Sequence, residues 1–137
     1  MSQKFISSED DVKEFLKELK AVLTDPTFDI SKDLDILPKK KDESPIDPYT
    51  TFNTMQALGF DRHDVLTQLL ALDISEYMET LIDDRDNNLP CFFAFGKTMK
   101  SREVYIKVKI RDRKSCKVFC VSFHFARYPI TTDRPYA

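Results

Sequence analysis

Glycine is scarce in this 137-residue chain, since it occurs only at Gly59 and Gly96, and tryptophan is absent. With two isolated glycines no glycine-rich phosphate loop can form, which excludes the nucleotide-binding motifs that depend on one. Cysteine is limited to Cys91, Cys116 and Cys120, an odd number without a C-x-x-C pair. This set favours free thiols in a reducing compartment over disulfides or a zinc site.

Long apolar runs are also missing from the sequence. No segment approaches the roughly 18 apolar residues of a membrane span, and residues 1–15 are polar and acidic, unlike a signal peptide. We therefore expect a cytoplasmic protein with no membrane contact, no metal and no other cofactor. Hydrophobic residues still make up 42% of the chain, with Phe used 11 times, which is enough to build the core of a single domain over residues 1–137.

Charge is divided unevenly along the chain. The formal net charge is −2, but residues 97–137 carry a net +8 and residues 1–96 a net −10. A division of this kind predicts a basic face in the last third of the fold, which the overall pI of about 5.7 conceals.

The first part of the chain has helical periodicity. Residues 8–24 repeat their apolar side chains at helical spacing, and Ser8 is placed to cap the helix. Residues 27–31 are compatible with a short strand. Residues 34–48 contain three prolines and three consecutive lysines, which predicts a mobile loop.

Helices are predicted over residues 49–82, followed by a sheet. The first helix ends at Gly59, Asp61 caps the second, and a third short segment runs through Leu81. From residue 90 apolar and polar residues alternate with a period of two, which predicts an antiparallel sheet over residues 90–126. The expected fold is α+β, with helices packed on one face of a small, mostly antiparallel sheet of three to four strands.

Strand alternation divides the side chains of this sheet between two faces. One set is apolar and is expected to pack on the helices: Val104, Ile106, Val108, Ile110, Phe119, Val121, Phe123 and Phe125. The other set is expected on the opposite face: Tyr105, Lys107, Lys109, Arg111, Val118, Cys120, Ser122 and His124.

The polar set suits RNA, because cations neutralise phosphates and an aromatic ring can stack on an unpaired base. It also suits phosphodiester cleavage, which needs a base for the 2′-OH proton, an acid for the leaving 5′-oxygen and cations near phosphorus. On this face His124 can act as acid or base, Lys107 and Lys109 can hold the charge near phosphorus, and Tyr105 can stack on a base.

Plainer interpretations stay open at this point. Antiparallel sheets often turn a lysine-rich face to water, and lysines on edge strands prevent aggregation. The same residues therefore fit an endoribonuclease, a module that binds nucleic acid or an acidic protein without cutting it, or a structural protein with no nucleic-acid role.

Three segments add a family resemblance: LGFDRHDVLTQLLALDISEYM (58–78), FGKTMKSREVYIKVKI (95–110) and VFCVSFHFARYP (118–129). In this order they resemble the MqsR family of toxins from bacterial toxin–antitoxin pairs, over roughly residues 50–130. The resemblance implies a RelE-like α+β fold, metal-independent cleavage of mRNA and a cognate antitoxin protein as partner. It leaves open whether the ribosome takes part.

Position by position, the resemblance assigns roles and also shows departures. Tyr105 matches the strand tyrosine of the family's active site, and His124 stands where better-known members carry a lysine. The Tyr77-Met78-Glu79 segment replaces a lysine of those members, and Phe92-Phe93 replaces a Trp-Gln pair. Two of the four polar groups that the family uses are thus absent at the matching positions, and Lys97, Arg127 or Tyr128 could replace them in space.

Together with the resemblance, the sequence gives two sets of candidate site residues. The candidate catalytic residues are Tyr105, Lys107 and His124. The candidate RNA-binding residues are Lys97, Lys109, Arg111, Arg127 and Tyr128.

Overall fold

A computed structural model, which describes residues 3–86, 88–130 and 134–137, has an α+β fold. Its strands are β1 (Lys4–Phe5), β2 (Leu34–Ile36), β3 (Tyr77–Leu81), β4 (Phe92–Met99), β5 (Arg102–Asp112) and β6 (Lys117–Phe125). Its helices are α1 (Glu9–Leu23), α2 (Ile30–Asp33), α3 (Thr51–Leu58) and α4 (Arg62–Leu70), and a 3-10 turn spans Ile74–Glu76. None of the helices in the described ranges is long and apolar enough to cross a membrane.

The strands form one sheet in the order β1-β3-β4-β5-β6-β2. All neighbours are antiparallel except β2, which runs parallel to β6. The α+β class and the mostly antiparallel sheet are confirmed, but the expected three to four strands are too few. The additional strands are β3 and two short edge strands of two and three residues, which are too brief to show alternation.

The predicted helix caps account for most of the helix boundaries. Ser8 Oγ accepts a hydrogen bond from the Asp11 amide at 3.1 Å, and α1 starts at the next residue. Gly59 ends α3 with φ +70°, a conformation that costs glycine little. Asp61 and Asp64 then form a reciprocal capping box at the start of α4.

The main core lies between the helices and one face of the sheet. Val12 and Leu19 of α1 and Leu69 of α4 pack with Ile106 of β5 and Phe123 of β6, and all five are buried. A second, smaller cluster covers part of the opposite face; its buried members are Met78, Leu81, Phe92, Ala94 and Ile130. The packing therefore differs in detail from the expected one-sided arrangement, because strand residues and Ile130 shield part of the second face.

Three predictions about individual elements are wrong. Residues 77–81 form strand β3 rather than the end of a helix, because Tyr77, Met78, Thr80 and Leu81 are buried on both faces of a strand between β1 and β4. Residues 27–31 do not form a strand. Asp29 instead caps the short helix α2 by accepting the Ser31 amide, and the loop predicted from residue 34 begins as strand β2.

A β-bulge in β6 reverses half of the predicted face assignment. Lys107 pairs with Ser122, but the next residue, Val108, pairs with Cys120, so Val121 is the extra residue. Beyond the bulge, Cys120 lies in the main core, whereas Val121 packs in the second cluster. The same shift moves Val118 into the main core and Phe119 into the second cluster. The predicted burial of Ile106, Val108 and Phe123 against helices is confirmed, and that of Val121 and Phe119 is wrong.

Candidate active site

A pocket of about 340 Å³ opens on the sheet face opposite the helices. Its walls come from the loop after β2, from β3, β5 and β6, and from the segment after β6. The lining residues are Lys40, Glu43, Met78, Tyr105, His124, Ala126, Arg127, Tyr128 and Ile130. Four residues predicted for the site therefore meet in one cavity: Tyr105, His124, Arg127 and Tyr128.

Tyr105 and His124 are the central pair of this pocket. They are directly opposite each other in the antiparallel register of β5 and β6, so both side chains project from the same face. Their ring centroids are 5.5 Å apart, with planes inclined by 32°. Both side chains are half-buried, which places two proton-carrying groups side by side in a partly dehydrated site.

The hydrogen bond of His124 defines which nitrogen carries the proton in the neutral ring. Nδ1 lies 2.9 Å from the carbonyl oxygen of Phe125, and because a carbonyl can only accept, Nδ1 carries the proton. Burial lowers the pKa of His124, and the charges of Lys40 and Arg127 lower it further, while this hydrogen bond and Glu43 act in the opposite direction. The imidazole is therefore neutral near pH 7, with Nε2 as its proton-accepting nitrogen.

The pKa of Tyr105 shifts in the opposite direction from that of His124. Burial, with a smaller effect from the negative charge of Glu79, raises the pKa of the Tyr105 phenol far above its usual value. The hydroxyl thus keeps its proton at any physiological pH and is available as a hydrogen-bond or proton donor. The pair combines one group that accepts a proton with a neighbour that holds one.

Lys107 lies on the same face but outside the pocket lining. It is two residues beyond Tyr105 on β5, opposite Ser122, and its Nζ lies 5.0 Å from the centre of the Phe92 ring. Burial lowers the pKa of this half-buried lysine. Lys107 therefore adds a basic group to the face on which the pocket opens.

Three predicted RNA-binding cations are not brought to the pocket. Lys109 is only 1% exposed and its Nζ donates to Asp83 at 2.7 Å, so its predicted exposure is wrong. Lys97 is opposite the buried Val104 in the register of β4 and β5, so its side chain lies on the helix face of the sheet. There it forms an ion pair with Glu76 at 3.1 Å. Arg111 pairs with an aspartate of β2 and lies over the Phe119 ring, away from the cavity.

Of the positions that depart from the MqsR pattern, Met78, Phe92 and Phe93 are apolar and Glu79 is charged. Met78 lines the pocket and Phe92 is buried beneath Lys107 on the same face. Phe93 points to the helix face and stacks on Phe15, with ring centroids 4.0 Å apart. Glu79 remains on the pocket face and forms an ion pair with Lys4 at 3.6 Å.

The pocket also contains residues outside the set of predicted site residues. Lys40 and Glu43 come from the loop expected to be mobile, and Ile130 comes from beyond the last strand. Parallel pairing of β2 with β6 directs this loop toward the end of β6, and the Leu37 amide continues the ladder by donating to Cys120. No periodic signal exists in a loop, so only the long-range strand pairing reveals this wall.

Within the described residues, no group of three or more histidine, cysteine or carboxylate side chains is arranged to hold a metal ion. Compared with known proteins, the chain matches no family model, no curated protein and no solved structure.

Proposed function

We propose that the chain is a metal-independent endoribonuclease that cuts mRNA, acting as the toxin of a type II toxin–antitoxin pair with a RelE-like fold. The observation that carries the proposal is the Tyr105–His124 pair, in which one ring accepts a proton and the other retains one, within a pocket that also contains Lys40 and Arg127. The MqsR-like segments supply the choice of mRNA as substrate and of an antitoxin protein as inhibitor.

The proposed reaction is transfer of the phosphodiester to the neighbouring 2′-oxygen. Nε2 of His124 takes the proton from the 2′-OH, the 2′-oxygen bonds to phosphorus, and the bond to the 5′-oxygen breaks. The Tyr105 hydroxyl gives its proton to that leaving oxygen, and a proton then returns from imidazolium to phenolate. Lys40 and Arg127 hold the charge on phosphorus, and Lys107 contacts an adjacent phosphate. The products are a 2′,3′-cyclic phosphate and a free 5′-hydroxyl.

The two histidines of the chain provide a matched test. His124→Ala is expected to lower RNA cleavage by about a hundredfold, the usual scale for one general acid or base, with little change in RNA binding. His63→Ala, which alters an exposed residue of α4, should cleave at the parental rate. Cleavage is measured on labelled mRNA with and without translating ribosomes. In the assay without ribosomes, which themselves need Mg²⁺, EDTA should not reduce cleavage.

A module that binds RNA without cutting it is the second candidate. Met78 and Phe92 favour it, because apolar side chains occupy positions where the MqsR pattern has polar groups. If the parent protein leaves diverse mRNAs intact in both assays but binds them, this second function replaces the first. If cleavage survives His124→Ala, the protein is an enzyme with a different base, and Tyr105 is the next residue to replace.

A further inference from the structure

Arg127 occupies an unusual electrostatic position for a residue that lines a candidate RNA pocket. Its Nη2 lies 2.5 Å from Oδ2 of Asp47 and 3.3 Å from Oε2 of Glu43, while its Cζ lies 5.0 Å from the ring centre of Tyr49. The two carboxylate side chains are 20% and 13% exposed, whereas the arginine is 41% exposed. The guanidinium therefore already contacts two carboxylate oxygens.

The backbone of the loop that carries both carboxylates, residues 37–50, is fixed at one end and around Asp47. The amide of Phe52 donates to the Pro38 carbonyl, and the Asn53 side-chain amide donates to the carbonyls of Pro45 and Asp47 at 2.8 Å. From this backbone the two carboxylate side chains reach Arg127 after the end of β6. Release of the arginine therefore requires only the carboxylate side chains to turn away, while the loop backbone stays attached to the fold.

Local hydrogen bonds hold the two carboxylates in place. The Lys40 amide donates to Oε1 of Glu43 at 2.8 Å, and the Tyr49 amide donates to Oδ1 of Asp47 at 2.8 Å. Each carboxylate thereby keeps one oxygen on the loop backbone and directs the other toward Arg127. A guanidinium that binds oxygens of this kind also binds the non-bridging oxygens of a phosphodiester.

We propose that Arg127 is a phosphodiester-binding subsite whose resting occupants are the carboxylates of Glu43 and Asp47, and that RNA binds there by displacing them. The identity of the ligand as RNA rests on the proposed function. A phosphate cannot share this position with both carboxylates, because like charges at such distances repel each other. Partly exposed ion pairs are weak enough for a polyanion to replace, so the loop regulates access without closing the site permanently.

The test compares two loop variants that remove the same charge. Asp47→Asn removes an Arg127 contact while keeping an oxygen for the Tyr49 amide, and Asp42→Asn removes an exposed charge that forms no ion pair with Arg127. The probe is a single-stranded 2′-O-methyl oligonucleotide, which cannot be cleaved, at about 0.15 M salt. We expect Asp47→Asn to tighten binding about threefold to fivefold more than Asp42→Asn, the scale of one such ion pair.

An Arg127→Gln background completes the cycle. In that background Asp47→Asn and Asp42→Asn are expected to have equal effects, because the competition for the guanidinium no longer exists. Three results would overturn the subsite. The first is an equal change in affinity from Asp47→Asn and Asp42→Asn when Arg127 is present. The second is a gain in affinity from Asp47→Asn that persists in the Arg127→Gln background, and the third is a lack of oligonucleotide binding by both the parent and the Arg127→Gln protein. If Asp47→Asn tightens binding only when Arg127 is present but the protein cleaves no mRNA, the subsite is supported and the nuclease is refuted. If the protein cleaves mRNA but Asp47→Asn has no such effect, the nuclease is supported and the subsite is refuted.

Discussion

Replacing Lys109 with methionine tests whether this lysine supports the fold or binds RNA. Its Nζ is 2.7 Å from Oδ2 of Asp83 and 4.6 Å from the centre of the Phe92 ring, and both charged side chains are almost fully buried. Methionine keeps much of the volume but removes the charge. Asp83 then retains the contacts from Arg85, whose side chain is 67% exposed.

The expected cost follows from leaving a buried carboxylate with a weaker partner. Removing one member of a buried ion pair costs about 3–5 kcal/mol, and because Arg85 still contacts Asp83 we expect the lower end, about 3 kcal/mol. That is a large part of the stability of an ordinary domain. The matched control is Lys107→Met, on the same strand and face but half-buried, for which we expect at most about 1 kcal/mol.

The pH dependence of this cost has a defined sign. Arg85 and Lys109 hold the pKa of Asp83 well below its usual range, so the interaction stabilises the fold above about pH 4 and is lost as pH falls through the folded-state pKa. The stability difference between parent and Lys109→Met is therefore largest near pH 7 and shrinks in acid. An added Asp83→Asn substitution should recover part of the loss at pH 7.

Urea unfolding followed by circular dichroism measures these free energies. A Lys109→Met variant as stable as Lys107→Met would refute the buried ion pair. A folded, fully stable variant with weakened RNA binding would return Lys109 to the role of a phosphate contact.

Two further predictions concern the site itself. Lys107→Ala should weaken oligonucleotide binding and reduce its salt dependence by about one phosphate contact, whereas Lys97→Ala should leave both unchanged, since Lys97 contacts Glu76 on the opposite face; equal losses in filter-binding titrations would contradict this assignment. The acid limb of kcat/KM should lie below pH 6.5, because cleavage needs neutral His124 and its pKa is lowered by burial and by Lys40. Lys40→Met should move that limb to higher pH, and a parental limb at or above pH 6.5 would contradict His124 as the base.

Local signals in the sequence predict α1, α3 and α4 well because the causes of these helices are local. The apolar repeat of α1, the cap at Ser8, the left-handed Gly59 and the cap at Asp61 all act within a few residues, and each lies where the pattern places it. The β3 segment fails for the opposite reason. Its residues Tyr77–Leu81 become a strand only because β1 and β4 flank them, and these neighbours are distant in sequence.

The site was predictable only where alternation continued without interruption. Tyr105 and His124 share a face because the register between them is regular, while the bulge at Val121 moves Phe119 to the pocket side of the sheet. The exposure of Lys109 could not be judged from alternation, since Asp83 lies outside any predicted strand. Glu43 likewise lacks any local pattern, and only the pairing of β2 with β6 places it in the pocket.

The parallel pairing of β2 with β6 has a consequence for how the chain folds during synthesis. Leu34 pairs with Val118, a separation of 84 residues, so β2 and the loop after it leave a ribosome long before their partner strand exists. Closing such a long segment delays the last step of sheet formation relative to the local helices. The pocket wall that carries Lys40 and Glu43 is therefore assembled only once β6 has been synthesised, and α1 must keep its apolar face protected from aggregation until then.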